Sequence, residues 1–320
     1  MRMTLLVSSA GRRVGLVECF RSSAAAIGIE LKVLACDRDP QFSAACQVAD
    51  RAFAVPRCDD PEFVETMLEI VRENGVNLVV PTIDPELAPL AAAAHRFRAS
   101  GAHVHVSPPG VIEVVRDKLR TAQVMEAAGV PVPWTVPLEA AHASAYPIVW
   151  PMFLKPSGGS ASRNIKVATS SADLPEAPEE PMVLQQLLIG PEYTVNMYID
   201  REGDLRNAVA HRRLRVRAGE VEKGRTERDP VLRRLAEGVA RALPLARGVL
   251  CFQVIADERT GPCVFDINAR FGGGYPLVHY AGGEYTRWLL EEVAGLPSTA
   301  HDNWRAGALM LRYDAAVFQG

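Results

Sequence analysis

Three short stretches of the chain carry side chains whose types and spacing suit phosphate and metal chemistry. In the first, residues 155–162, Lys155 and a proline are followed by six residues that are all Gly, Ser or Ala. Small residues let backbone N–H groups approach an anion closely, and the lysine adds a positive charge beside it. The lysine precedes the glycines and no GK[ST] follows, so the stretch is not a P-loop. It is interpreted as a phosphate-binding loop, with a flexible hairpin as the alternative.

The second stretch ends a predicted strand with Asp266, Asn268 and Arg270. Alternate residues of an extended segment share a face, so a carboxylate, an amide and a guanidinium are expected side by side. Gln253 lies on the preceding predicted strand, across a turn that would bring it near Asp266. Such oxygen ligands suit Mg²⁺, and an arginine suits phosphate or carboxylate. The alternative is a surface strand end with incidental polar residues.

The third stretch, residues 184–193, passes from an apolar strand through a short linker into a strand that begins at Glu192. The linker backbone could pair with the edge of an adenine, and Glu192 could accept hydrogen bonds from ribose hydroxyls. Taken alone, the segment is no more than a strand, a turn and a strand.

Composition restricts the classes of function. The chain has 320 residues, 48% of them hydrophobic and 23% charged, with a net charge of −3, which is typical of a globular protein of about two domains. This charge disfavours a nucleic-acid partner. No apolar run approaches the roughly 18 residues of a membrane span, and the first residues predict a strand instead of a signal peptide. We therefore expect a cytoplasmic protein with six unpaired cysteines, and no zinc at the isolated pair His103 and His105.

The predicted secondary structure that positions these stretches differs between the first and the later part of the chain. Strands alternate with helices up to residue 110, which predicts a doubly wound parallel sheet. Ligands in such sheets bind beyond the carboxyl ends of the strands, which places residues 8–13, 37–39 and 82–86 on one rim. Helical patterning continues from residue 111 to 128 with a break near Asp117, and short strands of an antiparallel sheet follow from residue 148.

In this order the parts resemble those of the ATP-grasp superfamily, within it the branch of the carbamoyl phosphate synthetase large subunit and its D-alanine–D-alanine ligase relatives. The resemblance rests on Lys118 at a helix start, the loop after Lys155, the 185–192 linker and the run 266–274, and it covers nearly the whole chain. It implies an α/β ATP-grasp fold behind an N-terminal doubly wound domain. The implied division is an N-terminal domain 1–110, a central subdomain 111–185 with the phosphate loop, and a C-terminal subdomain 186–320.

The resemblance also implies a set of ATP-binding residues, namely Lys118, Lys155, Ser157, Gly158, Gly159, Ser160, Ser162, Gln185, Gln186, Leu188 and Glu192. Lys118 and Lys155 would neutralise the α- and β-phosphates, and the loop would fold over the β- and γ-phosphates. Gln185 would bond the adenine amino group, where the family often has Glu, and Glu192 would hold the ribose. Gln186 and Leu188 would add main-chain contacts.

For the metal, the resemblance implies that Asp266 bridges two Mg²⁺ ions, with Asn268 on one and Gln253 on the other; Mn²⁺ is expected to substitute. Asp266 is one methylene shorter than the usual Glu, and Gln253 replaces a more frequent carboxylate, which leaves the metal pair one negative charge short. Arg270 and Lys155 are the implied catalytic residues, with Arg270 stabilising the transferred phosphoryl group or the acyl phosphate.

The reaction implied by the resemblance converts a small carboxylate to an acyl phosphate, releases ADP, and joins the acid to an amine. A small-molecule kinase and a non-catalytic nucleotide-binding regulator are the alternatives. No nucleic acid or membrane partner is expected, and a homodimer is compatible with the resemblance because dimers are common in that superfamily.

Residues for the acid and the amine are less sharply indicated. Alternation along the basic strand 207–217 puts His211, Arg213, Arg215 and Arg217 on one face. That face would either bind an acidic substrate or be solvated, and Arg215 is the strongest candidate for a catalytic role.

Two groups on the N-terminal rim have similar alternatives. Asp84 and Glu86 would hold a substrate amine or cap the following helix, with capping favoured for Asp84. The turn 11–13, with Arg12 and Arg13, is a candidate for binding a carboxylate. It lacks the GxGxxG fingerprint of a dinucleotide site.

Overall fold

The computed structural model describes residues 1–143, 147–158 and 165–318. Its first sheet consists of five parallel strands in the order β3-β2-β1-β4-β5. Their bounds are β1 (Arg2–Ser8), β2 (Glu30–Asp37), β3 (Arg51–Ala54), β4 (Leu78–Pro81) and β5 (His103–Val104). The predicted doubly wound sheet is confirmed, although the exposed edge strand β3 was not predicted. The strand order reverses between β1 and β4, which is where sheets of this kind form a binding crevice.

Helices cover both faces of this sheet, which explains why β1 and β4 read as continuous apolar runs. They are α1 (Val14–Ala26), α2 (Ala44–Val48), α3 (Phe63–Asn74) and α4 (Leu87–Ala99). Apolar residues of α3 and α4, such as Met67 and Phe97, pack on one face. On the other face α1 packs with Trp288 of the C-terminal part of the chain. The N-terminal sheet and the C-terminal sheet therefore share one core.

Two consecutive helices lead out of the first sheet, α5 (Pro109–Arg116) and α6 (Lys118–Ala127). The predicted break at Asp117 is confirmed, because its carboxylate accepts the N–H of Arg120 at 3.0 Å and caps α6. Both helices bury their apolar faces in the same core as the C-terminal sheet.

The middle of the chain forms a four-stranded antiparallel sheet in the order β6-β9-β7-β8. It consists of β6 (Thr135–Pro137), β7 (Met152–Pro156), β8 (Lys166–Ala168) and β9 (Met182–Gln186), with the short helix α7 (Leu138–His142) packed against it. Lys155 is the last residue but one of β7, and Gln185 is the last residue but one of β9. The sheet therefore presents the start of the predicted phosphate loop and the start of the linker.

The C-terminal sheet has six antiparallel strands in the order β14-β13-β10-β11-β12-β15. The strands are β10 (Glu192–Ile199), β11 (Leu205–Arg217), β12 (Glu220–Thr226), β13 (Gly248–Asp257), β14 (Gly261–Asn268) and β15 (Leu309–Leu311). Helices α8 (Pro230–Ala242), α9 (Tyr275–Tyr280) and α10 (Tyr285–Val293) flank it. Within the described ranges, no helix combines the length and apolar character that a bilayer span requires.

The predicted alternation along β11 is wrong beyond Arg213. The pairing of β11 with β12 shifts register on both sides of Arg215, so the strand is irregular there. An irregularity of this kind re-aims side chains, and strict alternation no longer assigns them to faces.

Candidate active site

The polar residues at the end of β14 lie together as predicted. Gln253 of β13 is directly opposite Asp266. Asn268 donates from Nδ2 to Asp266 at 2.9 Å, and Arg270 donates from Nη2 to the Asn268 side-chain oxygen at 3.0 Å. A carboxylate, two amides and a guanidinium are thereby held at one corner of the C-terminal sheet.

Arg270 is fixed from the opposite side by Asp84 of the N-terminal rim. Its Nη2 and Nε lie 2.6 and 3.0 Å from the two carboxylate oxygens, a bidentate pair with both side chains largely buried. Burial alone would lower the pKa of Arg270, but the charge and hydrogen bonds of Asp84 outweigh it and raise that pKa.

The prediction that Asp84 caps the following helix is wrong. The neighbouring Glu86 instead accepts the backbone N–H groups of Thr82 and Ile83, at 2.6 and 3.1 Å. Glu86 also accepts the hydroxyl of Ser8, so it ties the ends of β1 and β4 together. Since Glu86 is fully buried in these contacts, it is a structural residue of the rim.

Lys155 reaches the same corner from the central sheet. It is only 5% exposed, and its ammonium lies 5.9 Å from the centre of the Phe265 ring. Burial lowers its pKa to about 8; Asp266 opposes that shift and Lys118 adds to it. These interactions show that Lys155, Lys118 and Asp266 lie within electrostatic reach of one another. A phosphate bound there would favour the charged lysine.

Asp117 connects the start of α6 to the start of the predicted phosphate loop. Besides capping α6, it accepts the hydroxyl of Ser157 at 2.8 Å, and the Lys118 N–H donates to the Ser157 carbonyl at 2.9 Å. Gly158 follows in open space, where an added Cβ would meet nothing within 4 Å. Of the predicted loop residues, Gly159, Ser160 and Ser162 lie outside the described residues.

The predicted adenine linker is clamped onto the turn after β13. Asp257 accepts the N–H of Ile189 at 2.7 Å, and Arg259 donates to the carbonyl of Leu187 at 2.8 Å. Gly190 approaches so closely that an added Cβ would lie 1.9 Å from the carbonyl oxygen of Ala256. The linker backbone is thus held in one position, although Asp257 and Arg259 were not among the predicted site residues.

Gln185 and Gln186 anchor the start of this linker to β6. Gln185 is buried and donates from Nε2 to the Thr135 hydroxyl at 2.8 Å. The backbone N–H of Gln186 donates to the carbonyl of Trp134 at 2.8 Å. Because the Gln185 amide nitrogen donates to Thr135, the amide oxygen of Gln185 is left as an acceptor.

Glu192 begins β10 beside Arg213 of β11, with 3.2 Å between the carboxylate oxygen and the guanidinium Nε. Burial raises the pKa of Glu192, Arg213 opposes that shift, and Asp266 contributes to it. Arg213 is thus the member of the basic strand that lies at the predicted site. Arg215 is 65% exposed and pairs with Glu222, and none of its described contacts joins it to the other site residues.

A second charged group lies where the N-terminal rim meets the edge of the C-terminal sheet. The carboxylate oxygens of Glu220 on β12 lie 2.8 Å from a guanidinium nitrogen of Arg13 and 2.9 Å from one of Arg312. A guanidinium nitrogen of Arg12 lies 3.5 Å from the same carboxylate. Arg312 also donates to the carbonyl of Gly273. We call these four side chains the Glu220 cluster. Glu220 and Arg312 had no sequence signal, because each joins the cluster only through long-range sheet pairing.

The donor set at β14 fits a divalent cation that arrives with phosphate. Among the described residues, no group of three or more His, Cys, Asp and Glu is placed to hold a metal ion. Asp266, Asn268 and Gln253 nevertheless offer one carboxylate and two amide oxygens. Mg²⁺ is usually bound by one or two carboxylates and completes its shell with water and substrate phosphates, so these residues fit it.

Comparison with known families gives two matches that together span most of the chain. Residues 5–105 match the PylC-like N-terminal domain, and residues 115–274 match the ATP-grasp domain. A search of curated protein sequences found no match.

Solved structures with a similar fold include a biotin carboxylase domain of Hydrogenobacter thermophilus 2-oxoglutarate carboxylase, a dimer in complex with MgADP, ADP and bicarbonate. It shares 20% identity at a TM-score of 0.74, over 96% of this chain and 73% of that chain. N5-carboxyaminoimidazole ribonucleotide synthetase from Thermotoga maritima shares 17% identity at a TM-score of 0.68, over 94% and 78%. The Staphylococcus aureus N5-carboxyaminoimidazole synthetase complexed with ADP shares 14% identity at a TM-score of 0.73, over 95% of this chain and 81% of that chain. At these identities the likeness establishes the fold alone.

Proposed function

The chain belongs to the ATP-grasp family, and from that premise we propose that it is an ADP-forming ligase that joins a small carboxylic acid to an amine. One observation carries the proposal. Lys155 from the central sheet, Asp266 and Asn268 from the C-terminal sheet, and Arg270, held by Asp84 of the N-terminal rim, converge on one corner. Phosphoryl transfer depends mainly on positioning and charge neutralisation, which this set supplies without a catalytic triad.

The nucleotide lies between the central and C-terminal sheets. Gln185 accepts from the adenine amino group, the clamped linker through Leu188 offers backbone contacts, and Glu192 binds the ribose. Lys118 and Lys155 neutralise the α- and β-phosphates, and Ser157 and Gly158 lie beside them. Asp266, Asn268 and Gln253 would hold the Mg²⁺ that accompanies ATP, and the ion would shield the phosphate charge.

The reaction proceeds in two displacements. A carboxylate oxygen of the acid forms a bond to the γ-phosphorus, the bond from that phosphorus to the β–γ bridging oxygen breaks, and ADP leaves. The amine nitrogen then forms a bond to the acyl carbon, phosphate leaves, and the nitrogen loses a proton. Arg270 neutralises charge on the transferred group in the first step and on the departing phosphate in the second. We propose the cytoplasm, where ATP is available, as the location of this reaction.

The test uses Mg-ATP, pooled carboxylic and amino acids, and hydroxylamine to trap an acyl phosphate. ADP release with hydroxamate formed only with certain acids supports the ligase. ADP release with a stable phosphorylated product, independent of any amine, would identify a kinase. AMP and pyrophosphate would mean adenylation and would contradict the proposal, and nucleotide binding without turnover of any acid would favour a regulator.

Arg270→Ala separates chemistry from binding in the same assay. We expect turnover to fall much more than nucleotide affinity. Normal turnover at saturating ATP would contradict the role of Arg270.

A further inference from the structure

The Glu220 cluster contains more positive charge than its own structure requires. Arg12, Arg13 and Arg312 all converge on the single carboxylate of Glu220. Burial would raise the pKa of Glu220, but the three arginines outweigh it and lower that pKa. An ion pair that joins the N-terminal rim to the C-terminal sheet needs one arginine for one carboxylate. At least one guanidinium of the cluster is therefore in excess of what that ion pair requires.

The cluster adjoins the phosphoryl-transfer corner. Burial lowers the pKa of Arg13, which is only 18% exposed; Glu220 opposes the shift, while Arg270 and Arg312 repel the charge and add to it. Arg13 therefore lies within electrostatic reach of Arg270. The guanidiniums of Arg13 and Arg312 and that of Arg270 form one basic region.

A charge count over this region gives a consistent excess. Within the Glu220 cluster, the three arginines contribute three positive charges and Glu220 contributes one negative charge, so the sum is +2; the pair of Arg270 with Asp84 adds no net charge. Like charges held together at partly buried positions repel one another, and a bound anion relieves that repulsion. Paired guanidiniums also match the two oxygens of a carboxylate.

We infer that the Glu220 cluster binds a second anionic group on the acid substrate, in addition to the carboxylate activated at Arg270. The acid would then be dianionic, such as a dicarboxylic or amino dicarboxylic acid. Arg13 and Arg312 contact this second anionic group directly. Arg12, which is 63% exposed, lies at the outer edge of the site. The inference rests on the proposed function for the identity of the ligand as a substrate, but the anion site itself stands on the charges of this cluster.

The first experiment measures anion binding without turnover. Malonate is titrated against chloride at equal ionic strength, with the nucleotide site saturated by Mg²⁺ and AMPPNP, and the rise in thermal unfolding temperature is recorded. Arg13→Gln is compared with Arg96→Gln, an exposed arginine that pairs with Glu65 on the outside of the N-terminal domain. We expect malonate to raise the unfolding temperature of the wild type and of Arg96→Gln, and the rise to be lost in Arg13→Gln.

If the Glu220 cluster has only a structural role, the result is different. Arg13→Gln would then lower the unfolding temperature without anion but leave the malonate-dependent rise unchanged, and that result overturns the inference. No malonate-dependent rise in the wild type overturns it as well. If AMPPNP fails to bind, the proposed function fails, and the same titration without nucleotide still decides the anion site.

The second experiment uses any acid that gives hydroxamate. We expect each such acid to carry a second anionic group, and Arg13→Gln to raise its KM about tenfold, equivalent to about 1.4 kcal/mol, while the KM for ATP stays within about twofold. Turnover of a monocarboxylate with no second anionic group at an equal rate overturns the inference. If no acid reacts, the malonate titration alone decides it.

Discussion

Lys155 is a buried lysine whose pKa is lowered from 10.5 to about 8, chiefly by burial, and this has a measurable effect on stability. Between about pH 8 and 10.5 the unfolded chain holds a proton on this residue that the folded chain has lost, so stability rises with pH across that window. Below pH 8 the folded protein bears the full net cost of keeping this lysine charged in its buried position, on the order of 3 kcal/mol. Lys155→Met removes it.

We therefore expect Lys155→Met to be the more stable protein near neutral pH while binding no nucleotide. Its advantage should shrink as the pH rises from about 8 to 10.5. Urea unfolding at several pH values measures this, with Lys166→Met, which removes an exposed lysine from the same sheet, as the control. An advantage that stays constant with pH would show that burial of charge is not its cause.

Asp84 is the residue through which the N-terminal rim positions Arg270. Asp84→Asn keeps the shape but removes the charge that the guanidinium binds, and breaking a buried ion pair in this way costs about 3 kcal/mol. In the hydroxamate assay we expect kcat to fall at least about tenfold, equivalent to about 1.4 kcal/mol, with the KM for ATP nearly unchanged. Asp59→Asn, in an exposed pair with Arg57, is the control. A loss of stability with unaltered kcat would mean that Asp84 is only structural.

At the level of elements, the linker between β9 and β10 depends on the close approach of Gly190 to β13. A Cβ at residue 190 would lie 1.9 Å from a backbone oxygen, which cannot swing aside as a side chain does. Gly190→Ala should therefore displace the linker and raise the Kd for AMPPNP by about tenfold, although no charged ligand is removed. Gly110→Ala in α5, where nothing lies within 4 Å of an added Cβ, should leave the Kd unchanged. Equal affinities for the two variants would exclude the linker from nucleotide binding.

Elements with strong local signals could be predicted from the sequence, and those that depend on partners distant in the chain could not. Helix α3 has such a local signal, because its apolar period is followed by a glycine, and Gly75 indeed ends the helix in the left-handed region at φ 59°. Gln253 and Asp266 were predicted to lie close because a short turn joins their strands. Strands β12 and β15 were not predicted; β12 pairs with β11, and β15 pairs with β12, so both belong to the sheet through partners distant in the chain or across a turn.

The same limit applies to the candidate site. The residues of β14 could be grouped from their spacing, whereas the partner of Arg270 lies 186 positions away at Asp84, where a capping role had been favoured. The strand β11 is irregular around Arg215, which is exposed, whereas Arg213 lies against Glu192. Strict alternation of side chains along a strand does not predict this register shift. Local residue types therefore predict which chemistry is present, while tertiary pairing decides which charge faces which.

On the scale of the whole molecule, the candidate site belongs to no single sheet. Asp84 joins the N-terminal rim to Arg270, Lys155 of the central sheet lies near Asp266, and Glu192 enters from β10. A nucleotide with its metal ion would bind to the assembled molecule and not to the unfolded chain. Its binding energy is therefore added to the stability of the whole fold.

This linkage gives a prediction that requires no knowledge of the acid or the amine. At a concentration of AMPPNP about 100 times its Kd, binding adds about 2.7 kcal/mol to the stability, which for a protein of this size corresponds to a rise of about 4 °C in the unfolding temperature. Because Asp266 and Asn268 are proposed to act on the phosphates through Mg²⁺, the rise should largely disappear in EDTA and in Asp266→Asn. It should persist in Arg96→Gln, which changes only an exposed ion pair. A rise that is the same with and without the metal would place the nucleotide away from β14, and the assignment of Asp266, Asn268 and Gln253 to metal binding would be wrong.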